Sequence, residues 1–320
     1  MRIALALLLV AAEVIAAPLD DLARKAAAGS AEAKAQIERQ AAAGDAQAEH
    51  LMGLMYVSGK GAEQSDSKAL EWFLRAASKG HADSQHNAAV IYERTEGSLK
   101  DFAEARRWYR AAAEQGFARS QAKLGALFLD GVGGDANLGD GKEWLEKAAA
   151  QAEPYARYRL GMLHLEGRGY ERNVGTAAKL IQQAAEGGDR EARYRLALLH
   201  GIGTGVEKSD AKALEWLRKS AAQGLPEAEF LLSAIYSTGQ YGVRRDDKLA
   251  ARWLRRAAVQ GFADAEFSLG LAYAEGRGVK KDAREAYGWM LRASRRGHAP
   301  AIAYVKEIQS TMGQKRQPRD

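Results

Sequence analysis

The sequence contains no cysteine. That absence removes disulfide staples, thiolate nucleophiles, cysteine-based zinc sites and lipid attachment through an N-terminal cysteine. Proline is scarce, at 5 in 320 residues, and no alternation of β-branched residues recurs, which favours helices joined by tight glycine turns over strands. Long apolar runs are missing too. The one candidate, Ile3 to Ala12, holds roughly 10 residues where about 20 are needed to cross a bilayer. With Arg2 before it and Val14-Ile15-Ala16 after it as a small-x-small cleavage pattern, residues 1–16 read as an export signal. The mature chain is therefore expected in the periplasm or outside the cell. The net charge of +6 suits an anionic partner or surface but falls short of a nucleic-acid-binding signature. Neither a G-x-S-x-G nor an H-E-x-x-H motif occurs. The glycine-rich stretch Gly131 to Lys142 lacks the G-K-[ST] ending of a phosphate loop and falls where a turn between helices is expected.

Glycine and alanine are abundant, and the glycines are periodic. Gly44, Gly80, Gly116, Gly188, Gly224, Gly261 and Gly297 follow at 36 residues with a single interval of 37, and Ala152 fills the one gap. Four residues after each comes a small side chain: Ala48, Ser84, Ser120, Ala156, Ala192, Ala228, Ala265 and Ala301. Twelve after comes a ring: Tyr56, Tyr92, Phe128, His164, His200, Tyr236 and Tyr273. All six tryptophans, Trp72, Trp108, Trp144, Trp216, Trp253 and Trp289, share one further column, where the fourth repeat has Leu180.

Each unit reads as two helices. G-x-G turns such as Gly59-Lys60-Gly61 and Gly276-Arg277-Gly278 stop the first helix and reverse the chain. Asp66, Asp210 and Asp247 fall where the N-cap of the Trp-bearing second helix is expected. A lone helix pair cannot bury its Leu, Tyr and Trp face, so stacking is obligatory and both ends need polar caps. The expected layout is an all-α solenoid. Capping helices occupy 17–44, and seven repeats follow at 45–80, 81–116, 117–152, 153–188, 189–224, 225–261 and 262–297. A capping helix over 298–311 and a disordered tail over 312–320 complete it.

Ala48, Met52, Gly53, Tyr56, Gly59, Gly61, Asp66, Ala69, Trp72, Ala76, Ala77 and Gly80 together form a pattern that resembles the Sel-one-like repeat, a relative of the tetratricopeptide repeat. The likeness covers 45–297. It departs at Thr95-Glu96-Gly97, which replaces a G-x-G turn, at Leu180, and near Tyr241, where one residue is added. The resemblance implies a right-handed α/α superhelix whose first helices line a concave surface, and a scaffold or adaptor role. Secreted bacterial members bind host proteins, envelope machinery or toxic effectors. A cysteine-rich subgroup, with a disulfide in each repeat, is described as binding penicillin. Lacking cysteine, this chain inherits neither property.

The partner expected is therefore another protein, with no cofactor, metal or nucleic acid. By analogy with tetratricopeptide geometry, the column six after each glycine faces the groove, which puts Tyr158, Tyr194, Phe230 and Phe267 there as an aromatic ladder. These rings equally suit packing against the next repeat. Arg119, Lys123, Arg157, Arg159, Arg190, Arg193 and Arg195 form a basic strip beside them, followed by an acidic stretch with Glu227, Glu229, Asp264 and Glu266. The six histidines fall in pairs of equivalent positions, roughly 10 Å apart in stacked helices, which is too far to share a metal. They read as packed, hydrogen-bonded rings. Within protein binding, the family suggests an immunity-type inhibitor of a toxic effector enzyme such as a lipase, or alternatively an envelope or virulence adaptor. A cell-wall hydrolase is the alternative of another class.

Overall fold

A computed structural model of the chain describes residues 17–95 and 97–314, and among them every regular element is a helix. The helices α1 (Ala17–Ala27) and α2 (Ala31–Ala42) precede the repeats. The first three pairs are α3 (Ala46–Ser58) with α4 (Asp66–Ser78), α5 (Ala82–Arg94) with α6 (Phe102–Glu114), and α7 (Ala118–Asp130) with α8 (Leu138–Ala150). Next come α9 (Pro154–Glu166) with α10 (Val174–Glu186) and α11 (Arg190–Ile202) with α12 (Asp210–Ala222). The last two pairs are α13 (Pro226–Thr238) with α14 (Asp247–Val259) and α15 (Ala263–Glu275) with α16 (Ala283–Arg295), and α17 (Ala299–Gln314) closes the series. The expected export signal, 1–16, lies outside the described residues, as do residues 315–320 of the expected tail; residues 312–314 belong to α17.

The chain divides into two compact units that meet at Arg159 and Leu160. In the first, α3 packs on α4, α4 on α5, and so on to α8; in the second, the same succession runs from α10 to α17. Each unit is thus a stack of helix pairs in which neighbours bury one another's apolar faces.

One backbone bond fastens every pair. The N–H of the residue capping each second helix donates to the carbonyl of the ring column: Ser65 to Tyr56, Asp101 to Tyr92, Asn137 to Phe128, Asn173 to His164, Ser209 to His200, Asp246 to Tyr236 and Asp282 to Tyr273, at 2.8–3.0 Å. These capping residues correct the sequence expectation by one position. Ser65, Ser209 and Asp246 accept from the N–H three residues on, while Asp66, Asp210 and Asp247 are the first helical residues, where their charge favours the helix N-terminus. The extra residue of repeat six lies between the two fixed anchors, Tyr236 and Asp246, so the turn absorbs it and the helices keep register.

The core column is not the tryptophan column but the residue after it. Ile37, Phe73, Tyr109, Leu145, Ile181, Leu217, Leu254 and Met290 are all buried, whereas five of the six tryptophans are half-buried. Each tryptophan carries a cation over its ring: Arg75 on Trp72, Arg107 on Trp108, Lys147 on Trp144, Lys219 on Trp216, Arg256 on Trp253 and Arg292 on Trp289, at 4.1–5.1 Å. Five of these cations come from one helical turn later, so the sequence register itself lays the aliphatic stem across the indole.

Close approach fixes where side chains must be absent. A Cβ on Gly53 would stand 2.5 Å from the Phe73 ring, so the large ring of this repeat needs glycine opposite it. The equivalent position of α17 is Lys306, and no second helix follows it among the described residues. Gly278 combines a φ of +68° with a place directly against the Asp247 carbonyl of the preceding repeat. Ala152, in the glycine column, adopts φ +63°, a conformation that disfavours any Cβ.

Candidate partner-binding surface

In the first unit, the positions expected to form a basic strip are tied into a polar chain on α5, α7 and α9. The Tyr109 hydroxyl donates to Glu93 Oε2 at 2.6 Å, and Lys123 Nζ donates to Glu93 Oε1 at 3.0 Å. The same Lys123 lies 5.6 Å from the Tyr155 ring centre. Arg159 then donates to the Tyr155 hydroxyl at 3.0 Å and to both oxygens of Asp130 at 2.9 and 3.1 Å. Burial raises the Glu93 carboxyl, but Lys123 and the Tyr109 hydrogen bond outweigh it and hold the group below its ordinary range. Burial also pushes the Tyr155 phenol up, against the pull of Arg159. Lys123 and Arg159 are therefore ion-paired cations that brace neighbouring repeats. Arg119, Arg157 and Tyr158 lie half-buried on the same helices.

The column six after each glycine meets the first residue of the next repeat. His50 packs on His81 at 4.7 Å and His86 on Phe117 at 5.1 Å in the first unit; Phe230 packs on Phe262 at 5.4 Å and Phe267 on His298 at 4.6 Å in the second. Tyr194 lies against the cluster built by Leu217, Leu225 and Leu232. These rings hold repeats together; His50 is buried, whereas His86, Tyr194, Phe230 and Phe267 are half-buried.

Histidine in this column brings its own partner. His50 Nδ1 lies 2.8 Å from Ser84 Oγ, and His86 Nδ1 lies 2.9 Å from Ser120 Oγ. Where the column holds Tyr194, Phe230 or Phe267, the small residue at the equivalent place of the next repeat is Ala: Ala228, Ala265 and Ala301. Burial pushes both imidazoles down to about 3, with His81 adding to the effect at His50 and Arg119 and Lys123 at His86. The ring-column histidines differ from each other: His200 Nδ1 reaches the Glu207 carbonyl at 3.0 Å, while His164 stacks on Tyr170 at 4.1 Å.

A second polar column, five after each glycine, is buried at Glu49, Gln85, Gln121, Glu229 and Glu266 and clasped from the end of the second helix of its own repeat. In the first unit Lys79 reaches back to Glu49 at 2.7 Å and to the Gly44 carbonyl at 2.8 Å, and Gln151 repeats the pattern on Gln121 and Gly116. In the second unit Arg256 and Gln260 each bind Glu229 at 2.7 Å, and Arg296 binds Glu266 at 3.3 Å. Glu229 and Glu266, expected as an acidic patch, are thus enclosed at 0% and 2% exposure; burial raises both carboxyls, opposed by the arginines. Arg193 occupies the same column and donates to the Ala185 carbonyl at 3.0 Å. Asp264 stays on the surface, 3.3 Å from His298.

Arg195 and Glu227 behave differently. Arg195 Nε and Glu227 Oε2 are both enclosed and have no hydrogen-bond partner among the described residues. Both act on the Tyr194 phenol, which burial and then Glu227 raise while Arg195 opposes. Beyond them, Phe230 walls a cleft of about 210 Å³ formed by α13, α14 and α15, together with Ser233, Ser237, Leu254, Ser268 and Leu271. This part of the second unit carries hydrogen-bonding capacity and an aromatic edge that the fold itself leaves unused.

Catalytic geometry has one local candidate. Ser84 Oγ lies between His50 and His81, at 2.8 and 3.1 Å, but Ser84 is 0% exposed and no substrate can reach it. Among the described residues no three His, Cys, Asp or Glu side chains are grouped to hold a metal ion. Within the same residues no helix is long and apolar enough to cross a membrane.

Comparison with known proteins gives a consistent picture. The Sel1 repeat profile matches residues 46–81, 82–117, 118–153, 154–189, 190–225, 226–262 and 263–298. The protective antigen c5321 of uropathogenic Escherichia coli, described as displaying an SLR fold, is 30% identical with a TM-score of 0.56, covering 91% of this chain and 67% of that one. A Sel1 repeat protein from Oxalobacter formigenes is 31% identical with a TM-score of 0.61, covering 72% of this chain and 88% of that one. The immunity protein PA5088 of Pseudomonas aeruginosa, at 21% identity and a TM-score of 0.50, covers 69% of this chain and 82% of its own and shares the fold. No curated protein matches the chain.

Proposed function

The chain belongs to the Sel1 repeat family, and from that premise we propose that it is an exported scaffold whose first-helix surface holds another protein. The observation that carries this reading is the unmatched pair Arg195 Nε and Glu227 Oε2 beside the half-buried Tyr194. An enclosed polar atom without a partner costs about 1–3 kcal/mol. Both side chains are half-buried, so a partner that turns them outward and supplies an acceptor to Arg195 and a donor to Glu227 recovers part of that cost, a gain specific to the correct partner. Phe230 and its cleft supply the apolar anchor that a hot spot needs next to these polar contacts. In the first unit, Arg119, Arg157 and Tyr158 present a second, more basic surface of the same first-helix type.

Affinity purification of the tagged chain from the exported fraction, followed by mass spectrometry, identifies the partner. An Arg195→Ala chain that captures the same protein to the same extent argues against this surface. The narrower role, an immunity-type inhibitor of a toxic enzyme such as a lipase, predicts that expressing the chain rescues cells poisoned by that enzyme. An envelope or virulence adaptor predicts no rescue and co-purification of envelope or host proteins instead. Turnover of peptidoglycan or a β-lactam by the purified chain contradicts the scaffold reading altogether.

A further inference from the structure

The positive charge of this chain is not spread evenly. Residues 244–296 contain 13 Lys and Arg against 7 Asp and Glu, a net +6 that equals the charge of the whole sequence. All of these residues lie in the second unit. Arg245, Arg256, Arg277 and Arg296 are paired with Asp247, Glu229, Glu275 and Glu266. The other nine cations, Arg244, Lys248, Arg252, Arg255, Arg284 and Arg295 among them, have no carboxylate within ion-pair distance among the described residues, and all nine are exposed.

Helical spacing gathers them. On α14, Lys248, Arg252, Arg255 and Val259 follow at intervals of four, three and four, one stripe facing away from the core residues Leu254 and Ala258. On α16 the same register holds Arg284, Gly288, Leu291 and Arg295. The fold does not demand these charges, since α8 has Gly139, Glu143, Glu146 and Ala150 at the equivalent places. Beside the start of α14, the lengthened turn of repeat six opens a recess of about 730 Å³ lined by Arg218, Tyr236, Arg244, Arg245 and Lys248. Its two acids are already engaged: Asp246 accepts from the Leu249 N–H, and Asp247 is bound by Arg245.

We propose that this face docks the chain on an anionic lipid bilayer, with one headgroup phosphate seated in the recess. The cations lie on the second helices of two successive repeats, α14 and α16, each packed on α15, so they are spread over more than one helix, which matches a charged surface. A protein interface needs a buried aromatic or aliphatic centre, and the only large apolar side chain that stands exposed on the stripe is Val259. Single-stranded nucleic acid needs free aromatic faces for stacking, but Trp253 and Trp289 lie under Arg256 and Arg292. A phosphate-bearing bilayer requires neither. The cation stripes lie on second helices, whereas Arg195, Glu227 and Phe230 lie on first helices, so variants of one set test the bilayer contact separately from the partner surface.

The test is co-sedimentation of the full chain with vesicles of phosphatidylcholine alone or with about a third phosphatidylglycerol, at low and high salt. Expected is binding to the phosphatidylglycerol vesicles only, lost at high salt. The triple variant Arg252→Glu, Arg255→Glu, Arg295→Glu weakens it at least about tenfold, while the equally charged control Lys60→Glu, Lys100→Glu, Lys179→Glu leaves it within about twofold of the parent. Both variants are first checked for an unchanged melting temperature, and single reversals replace any triple that melts early. Equal binding to the neutral vesicles, or equal losses in both variants, overturns the proposal. So does retention on a polyglutamate peptide or duplex DNA without retention on either vesicle. For the recess, Arg244→Ala with Lys248→Ala should cost more vesicle affinity than Lys280→Ala with Lys281→Ala; equal costs remove the phosphate seat.

Discussion

Acid should loosen the first unit through two histidines that never need to ionise for packing. His50 and His86 are held as neutral rings against Ser84 and Ser120, and burial lowers each from 6.5 to about 3. Above pH 6.5 neither the folded nor the unfolded chain protonates them, and their full contribution is present. Between pH 6.5 and about 3 the unfolded chain binds protons that the folded chain refuses, so stability falls as pH falls. At pH 5, one and a half units below the unfolded value and still above the folded one, each ring costs about 2 kcal/mol at 1.36 kcal/mol per unit, and the two cost about 4 kcal/mol. His81, also lowered by burial, acts in the same direction. In the second unit Asp189 opposes the trend: burial raises it to about 6, so its folded form takes up a proton first and gains about 1 kcal/mol by pH 5. Amide exchange read by mass spectrometry at pH 7.5 and 5.0, corrected for intrinsic rates, should show the loss in α3 to α6 and not in α11 to α16. The His50→Gln, His86→Gln chain keeps a polar group for each serine but cannot titrate, so its protection should change far less with pH. If the parent and this variant lose equal protection between the two pH values, the assignment of the acid effect to these rings is wrong.

Three further outcomes follow from backbone geometry and packing. Ala152→Gly relieves a positive φ that costs a residue with a Cβ about 1–2 kcal/mol, and after the added freedom of the unfolded chain the variant should be about 0.5–1 kcal/mol more stable in urea unfolding. Gly278→Ala places a methyl against the Asp247 carbonyl at a positive φ, and it should lose more than about 2 kcal/mol; a change under half of that shows the turn can relax. Phe73→Ala empties the core column and should cost about 3–5 kcal/mol, whereas Trp72→Ala, on the half-buried neighbouring column, should cost less in the same assay.

The fold was legible because one period controlled many columns at once. Glycine at the helix ends, small residues four later and rings twelve later each answer a separate physical need, and their agreement left no room for another architecture. Local detail was less legible. The tryptophans share a register yet sit one position off the core, because helical spacing let a cation from the next turn cover them; the column Ile37, Phe73, Tyr109, Leu145 is chemically mixed and so did not stand out. The strip of Lys123, Arg159 and Arg193 looked free from charge alone, and only geometry reveals that Glu93, Asp130 and the Ala185 carbonyl hold it. Glu229 and Glu266 looked like surface acids because an enclosed carboxylate reads the same in sequence as an exposed one. The pairing of His50 with Ser84 and His86 with Ser120 did leave a signal, since serine replaces alanine only where histidine precedes it.

Partner binding through the first helices of the second unit is tested most directly by titrating the purified partner, once identified by capture, against the parent chain and an Arg195→Ala, Phe230→Ala variant by calorimetry. Removing one matched charge and one aromatic anchor should weaken binding at least about a hundredfold, with circular dichroism showing the helices intact. Affinity within about threefold of the parent, in a variant that remains folded, would contradict the assignment of the partner to this surface.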